Sequence, residues 1–88
     1  MDFKKLDDMI FEIKSTYIND HGLVHREIEE ATDFDFVTLK LNRQINRFYN
    51  IIIPIDLRIN KSPGEQKKQL MHYCEANNRS FIINVGII

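Results

Sequence analysis

The first part of the chain places apolar residues at helical spacing. Five of them recur three or four positions apart, as on one face of an α-helix: Phe3, Leu6, Ile10, Ile13 and Tyr17. Asp2 is a suitable N-cap, and Gly22 suits the left-handed position that follows a helix. This pattern predicts an amphipathic helix over residues 2–19.

The C-terminal half predicts a strand, a helix and a second strand. Residues 50–59 alternate strictly and place five apolar side chains on one face of a strand: Ile51, Ile53, Ile55, Leu57 and Ile59. The sequence SPGE that follows is a capping box, which predicts a helix over residues 63–77. Residues 80–88 are apolar on nearly both faces, as in a buried strand. Together they predict a βαβ unit, with an edge or a bulge at Pro54.

Two segments between these elements fit either a helix or a strand. In residues 23–33, the four-residue spacing of Val24 and Ile28 suits a short helix, and their shared parity suits an edge strand. Residues 34–42 alternate in a way that favours a strand. The same region also contains a helical stripe, formed by Phe34, Val37, Leu41, Ile45 and Phe48.

These elements predict one α+β domain over residues 1–88. We expect a small mixed β-sheet of three or four strands with an N-terminal helix and a βαβ C-terminal half, in the order α-β-β-β-α-β or α-α-β-β-α-β. The predicted core comprises Phe3, Leu6, Ile10, Ile13, Tyr17, Val37, Leu39, Leu41, Ile51, Ile53, Ile55, Leu57, Ile59, Leu70, Cys74, Phe81, Ile83 and Val85. Because the last strand is apolar on both faces, we expect a second copy to cover one of them, as in a homodimer.

Composition limits the class of protein and the cellular compartment that we expect. Hydrophobic residues make up 43% of the 88 residues and charged residues 28%, which is typical of a globular protein and excludes a disordered tail. No apolar run approaches the roughly 20 residues of a membrane span, and charges interrupt the N-terminus where a signal peptide would lie. With Cys74 as the single cysteine, no internal disulfide is possible, and we expect a cytoplasmic protein without a membrane partner. Abundant Ile and Asn are typical of an AT-rich, phage-like genome.

Charge is distributed unevenly along the chain. Residues 1–33 carry a net charge of −5 and residues 34–88 a net charge of +4, within a total of −1. The favoured interpretation is that the two halves complement each other inside one fold or across a dimer. The alternative is a basic face for an anionic partner.

The leading functional hypothesis is a small non-enzymatic nucleic-acid-associated or regulatory protein. Residues 42–50 interleave cations with aromatic and amide side chains, which suits phosphate contacts and base stacking, although a solvated surface is the simpler interpretation. If residues 34–49 are helical, residues 28–47 resemble a helix-turn-helix. The predicted phosphate contacts are Lys40, Arg43, Arg47, Arg58, Lys61, Lys67 and Lys68.

A second hypothesis is a phage- or plasmid-type inhibitor that binds a host enzyme. An acidic cluster can imitate nucleic-acid phosphates, although such a cluster is more often a solubilising face. The predicted protein-binding residues are Glu27, Glu29, Glu30 and Asp33, with Asp35 beside them.

The predicted element order also resembles the core of the PD-(D/E)XK nucleases, such as Holliday-junction resolvases. The sequence TDFDF is similar to the first acid motif, IDLRI to the acid-x-Lys strand, and SPGEQKKQL to the start of the helix that follows. The resemblance implies catalytic roles for Asp35, Asp56 and Arg58 with bound Mg²⁺, and Glu12 as an accessory acid. Arg58 stands where the family has Lys, and a guanidinium is a poor substitute for a compact ammonium.

Other metal or cofactor sites are not predicted. His21 and His25 straddle Gly22, and His72 and Cys74 are two residues apart on a predicted helix. Neither pair has the spacing of a zinc site. Apart from the Mg²⁺ that the nuclease resemblance implies, the sequence predicts no cofactor and favours a protein that is not an enzyme.

Overall fold

A computed structural model describes residues 9–88. The elements follow in the order β1 (Phe11–Ile18), β2 (Val24–Ala31), α1 (Phe34–Ile52), a 3₁₀ turn (Ile55–Leu57), α2 (Pro63–Ala76) and β3 (Ser80–Ile87). The described part of the chain is therefore an α+β domain with a three-stranded sheet and two helices, which confirms the predicted class.

The sheet is entirely antiparallel, with β1 between β2 and β3. Phe11 lies opposite Ala31 on one side and Ile87 on the other. The predicted βαβ unit and mixed sheet are therefore wrong for the described residues. The β1–β2 hairpin closes at Gly22, whose φ of 78° is the left-handed conformation predicted for it. Gly22 lies in the loop between β1 and β2, however, and does not follow a helix.

The helix predicted over residues 2–19 is wrong where the structure describes it, because residues 11–18 form β1. Its remaining part, with Phe3 and Leu6, lies outside the described residues. Ile13 and Tyr17 are four positions apart, a spacing that puts two side chains on one face of either a helix or a strand. The β-branched and aromatic residues of FEIKSTYI favour the strand.

Residues 34–52 form α1, so the strands predicted over 34–42 and 50–59 are both wrong. The helical stripe is favoured over the alternating pattern because the helix buries Val37, Ile45 and Phe48. The helix begins at Asp33, whose side chain accepts a hydrogen bond from the backbone N–H of Asp35. Because residues 24–31 form β2, the helix-turn-helix interpretation of residues 28–47 is also wrong.

The last helix and strand form where the sequence predicts them. Strand β3 is, however, an edge strand with most of its residues exposed, so the prediction of a buried strand is wrong. Ser62 and Glu65 exchange the two hydrogen bonds of the capping box at the start of α2. The chain then turns through Asn78, which has a φ of 54°, into β3. The sequence predicts these features correctly because they depend on residues a few positions apart and not on distant contacts.

The core lies between both helices and one face of the sheet. Its buried apolar residues are Ile13, Tyr17, Ala31, Val37, Ile45, Phe48, Tyr49, Ile52, Ile53, Leu70, Cys74 and Phe81. Leu41 and Ile83 pack against it while partly buried. The remaining predicted core residues among 9–88 are exposed: Ile10, Leu39, Ile51, Ile55, Leu57, Ile59 and Val85. Most of them belonged to the strand that does not form at 50–59.

Candidate functional site

The acidic and basic residues predicted as two separate binding surfaces contact each other. The Arg47 side chain donates to the Glu27 carboxylate, and Arg43 pairs with Glu29 at 3.1 Å. Lys40 donates to the backbone carbonyl of Glu30. These contacts join α1 to the neighbouring strand β2.

The spacing of these pairs follows from helix and strand geometry. Four residues along a helix advance by about 6 Å, and two residues along a strand by about 7 Å. Arg43 and Arg47 therefore match Glu29 and Glu27 in step. The opposite charges of the two halves thus complement each other inside one fold, as the favoured interpretation of the charge pattern held.

The residues matched to the nuclease motif lie on other kinds of element. Asp35 is in the first turn of α1, and Asp56 is in the 3₁₀ turn. Arg58 donates from Nε to the carbonyl of Ile53 at 2.9 Å and from its terminal nitrogen to the carbonyl of Asn50. A cation at these carbonyls stabilises the C-terminal end of α1.

Metal-ligating side chains are dispersed in the described structure. Within residues 9–88, no three His, Cys, Asp or Glu side chains are close enough to hold one metal ion. Glu12, the accessory acid that the nuclease resemblance implies, lies on β1 directly opposite Glu30.

The remaining predicted cations lie near the start of α2. Lys61 and Lys68 border an open cavity of about 450 Å³, together with Ile59, Glu65, Gln69 and His72. Hydrogen bonds from Ser62 lower the pKa of Glu65, with smaller help from the nearby lysines. The cavity therefore holds a stable carboxylate among its cations, and its charge is mixed.

One face of the sheet has no helix against it in the described structure, and we call it the open face. It presents the even-numbered residues of all three strands, and its apolar side chains are Ile18, Val24, Ile28 and Ile82. Ile28 and Ile82 are 54% and 51% exposed. Lys14 lies between Ile28 and Asn84 at the centre of this face.

Part of this surface is visible in the sequence. Val24 and Ile28 share parity on the edge-strand interpretation, but nothing in the linear pattern shows that Ile82 lies across β1 from them. The missing signal is the register between β1 and β3, whose nearest pair in sequence, Ile18 and Ser80, is 62 positions apart.

A second surface is the outer edge of β3. Beside its first residues lies a cavity of about 270 Å³, lined by Met71, Cys74, Glu75, Arg79, Ser80 and Phe81. Burial raises the pKa of the Cys74 thiol, so it is a neutral apolar lining. The Arg79 guanidinium lies 5.8 Å from the centre of the Tyr73 ring. The pKa of Arg79 is raised chiefly by Tyr17 and to a smaller extent by Asp20.

Comparisons with known proteins give no match: no family model, no curated protein and no solved structure is similar to the chain. Neither helix among the described residues is long and apolar enough to cross a membrane.

Proposed function

We propose that this chain is a small regulatory domain that acts by binding another protein through the open face. The observation that carries the proposal is the pair of half-exposed isoleucines, Ile28 and Ile82, on a sheet face that no described element covers. Half-exposed apolar side chains on a sheet face are typical of protein interfaces.

The charges of this face indicate the chemistry of the partner. Arg26 and Lys14 flank the apolar residues on β2 and β1, while Glu12 and Glu30 lie opposite each other at one end. A complementary partner presents apolar groups towards Ile28 and Ile82, carboxylates towards Lys14 and Arg26, and a cation towards the two glutamates. A uniformly anionic ligand matches this pattern poorly, because it meets Glu12 and Glu30.

The ion pairs of α1 also favour a protein over a nucleic acid. Arg43 and Arg47 have to release Glu29 and Glu27 before they contact phosphate. Arg58 donates hydrogen bonds to backbone carbonyls at the end of α1. Among the predicted phosphate contacts, Lys61, Lys67 and Lys68 make no such contact with α1 or β2. Nucleic-acid binding through those three lysines is therefore the competing outcome of the test.

The test compares two charge-introducing variants with a matched control. Ile28→Glu and Ile82→Glu change the open face, and Ile59→Glu changes an isoleucine of similar exposure, 66%, elsewhere on the molecule. A protein captured by the wild-type chain and by Ile59→Glu, and lost by both open-face variants, supports the proposal.

Two results contradict it. One is capture that the open-face variants leave unchanged. The other is salt-dependent retention of DNA or RNA that is lost when Lys61, Lys67 and Lys68 are replaced by Ala, since this assigns the function to a nucleic acid.

A further inference from the structure

Strand β3 is an edge that carries no charge. Its residues, SFIINVGI, contain no acidic or basic side chain over eight positions, and β1 is its only neighbour in the described sheet. An uncharged edge of this length leaves a row of backbone N–H and C=O groups ready to pair with another strand.

The opposite edge of the sheet is protected. Strand β2 carries Arg26, Glu27, Glu29 and Glu30, and α1 extends two arginines to its carboxylates. Charged side chains are a common device against edge pairing. The contrast within one sheet singles out β3 as the pairing edge.

The direction of the free backbone groups follows from one hydrogen bond. The N–H of Ile88 donates to the carbonyl of Ile10 at 2.9 Å, so residue 88 is hydrogen-bonded to the strand on the inner side. Hydrogen bonding alternates along an antiparallel strand. The N–H and C=O groups of four residues therefore point away from the sheet: Phe81, Ile83, Val85 and Ile87.

The side chains on this edge are also self-complementary. On the helix side of the sheet, Phe81 is buried near α2, but Val85 and Ile87 are 44% and 62% exposed. The cavity bordered by Met71, Cys74 and Phe81 lies beside the covered end of the strand. The C-terminal end of β3 therefore exposes apolar side chains, and the cavity at its N-terminal end can accommodate such side chains from another copy.

We propose that a second copy of this chain pairs with β3 in antiparallel orientation, about a two-fold axis at Asn84. In this register Phe81 faces Ile87 of the second copy, and Ile83 faces its Val85. All the outward N–H and C=O groups are then paired, and Ile87 of each copy reaches the cavity beside Phe81 of the other.

The arrangement leaves room for the helices. The two Phe81 residues are six positions apart along the paired strands, about 20 Å. The two α2 helices consequently cover opposite ends of the interface, on the same side of a six-stranded sheet. The inference goes beyond the proposed function, because it depends on the edge and not on the open face.

A cysteine placed on the axis tests the register. In the proposed dimer, Asn84 lies opposite Asn84 of the second copy, at a position where the two residues do not hydrogen-bond to each other. Their Cα atoms are then about 4.5 Å apart, a distance that a disulfide can bridge. In Asn84→Cys we expect a cross-linked dimer under mild oxidation. Gly86→Cys is the control: its two copies are about 14 Å apart, too far for a disulfide. Gly86 has open space around it, so the substitution is tolerated.

Sedimentation measures the association itself. Ile87→Asp places a charge against Phe81 of the second copy, and we expect at least about a tenfold weaker dimer. Ile55→Asp, at a 79% exposed position in the 3₁₀ turn, should leave the dimer unchanged. Far-ultraviolet circular dichroism confirms that both variants are folded.

Three results overturn the proposal: a wild-type chain that stays monomeric at high concentration, a dimer that Ile87→Asp leaves intact, or equal cross-linking of Asn84→Cys and Gly86→Cys. Ile28→Glu separates the two proposals, because Ile28 lies on β2 and away from the β3 edge. Loss of the partner protein in this variant, with the dimer unchanged, assigns partner binding to the open face and dimerisation to the edge.

Discussion

The Ser15 hydroxyl donates a hydrogen bond of 2.9 Å to the side-chain carbonyl of Gln44, and both residues are completely buried. The Gln44 amide nitrogen donates in turn to the backbone carbonyl of Ile13 at 3.0 Å. One side chain of α1 thus satisfies two polar groups of β1 in an apolar layer, and it fixes how the helix lies on the sheet.

Removing Gln44 alone should be costly. Gln44→Leu leaves the Ser15 hydroxyl without its partner, and we expect a loss of about 1–3 kcal/mol in the free energy of unfolding. Urea denaturation measures it. Adding Ser15→Ala should restore part of the loss because both polar partners are then gone. A double variant as unstable as the sum of the two single variants contradicts the pairing.

The ion pairs between α1 and β2 should contribute little to stability. Both arginines are about half exposed, and exposed pairs contribute about 0–1 kcal/mol each. We expect Arg43→Ala with Arg47→Ala to lower the unfolding free energy modestly, and less so in high salt. A double-mutant cycle of Arg43 with Glu29 checks the first pair, and a coupling energy well above about 1 kcal/mol in low salt contradicts the prediction.

The capping box should make α2 sensitive to acid. The pKa of Glu65 is lowered in the folded state, chiefly by its hydrogen bonds with Ser62. A depressed carboxyl pKa contributes stability above the unfolded-state pKa, and this contribution is lost as the pH falls through the folded-state value. Unfolding measured from neutral to acidic pH should show a smaller loss in Glu65→Gln than in the wild-type chain. Equal losses contradict the assignment.

Cys74 should react only when the core opens. The thiol is buried, and burial raises its pKa, so little thiolate is present at neutral pH. We expect slow labelling by a thiol reagent in the native protein and fast labelling in urea. Fast native labelling contradicts the packing of Cys74 against Leu70 and Phe81 in the core.

The sequence predicts the features that depend on neighbouring residues. The capping box at Ser62 and the left-handed Gly22 both form, since a few adjacent residues define them. Features that depend on distant contacts are less accessible. Ile51 and Ile55 alternate as in a strand. The buried stripe that ends at Ile52 nevertheless places Ile51 in α1, and Ile55 lies in the 3₁₀ turn that follows.

The same limit applies to the functional residues. The sequence shows an acidic cluster and a basic cluster, but it does not show that Glu27 meets Arg47 twenty positions away. Both clusters therefore look like binding surfaces in the linear sequence. The open face becomes visible only when the register places Ile82 beside β1.

Site-specific photo-cross-linking identifies what the open face binds. A photoreactive residue at position 28 or 82 lies on the open face, and one at position 59 lies away from it. In a lysate of the source organism, we predict one discrete adduct from positions 28 and 82 with a protein other than a second copy of this chain. Unlabelled wild-type chain should compete with it, and position 59 should not form it. Adducts of equal strength from all three positions, or adducts with nucleic acid alone, would contradict the account.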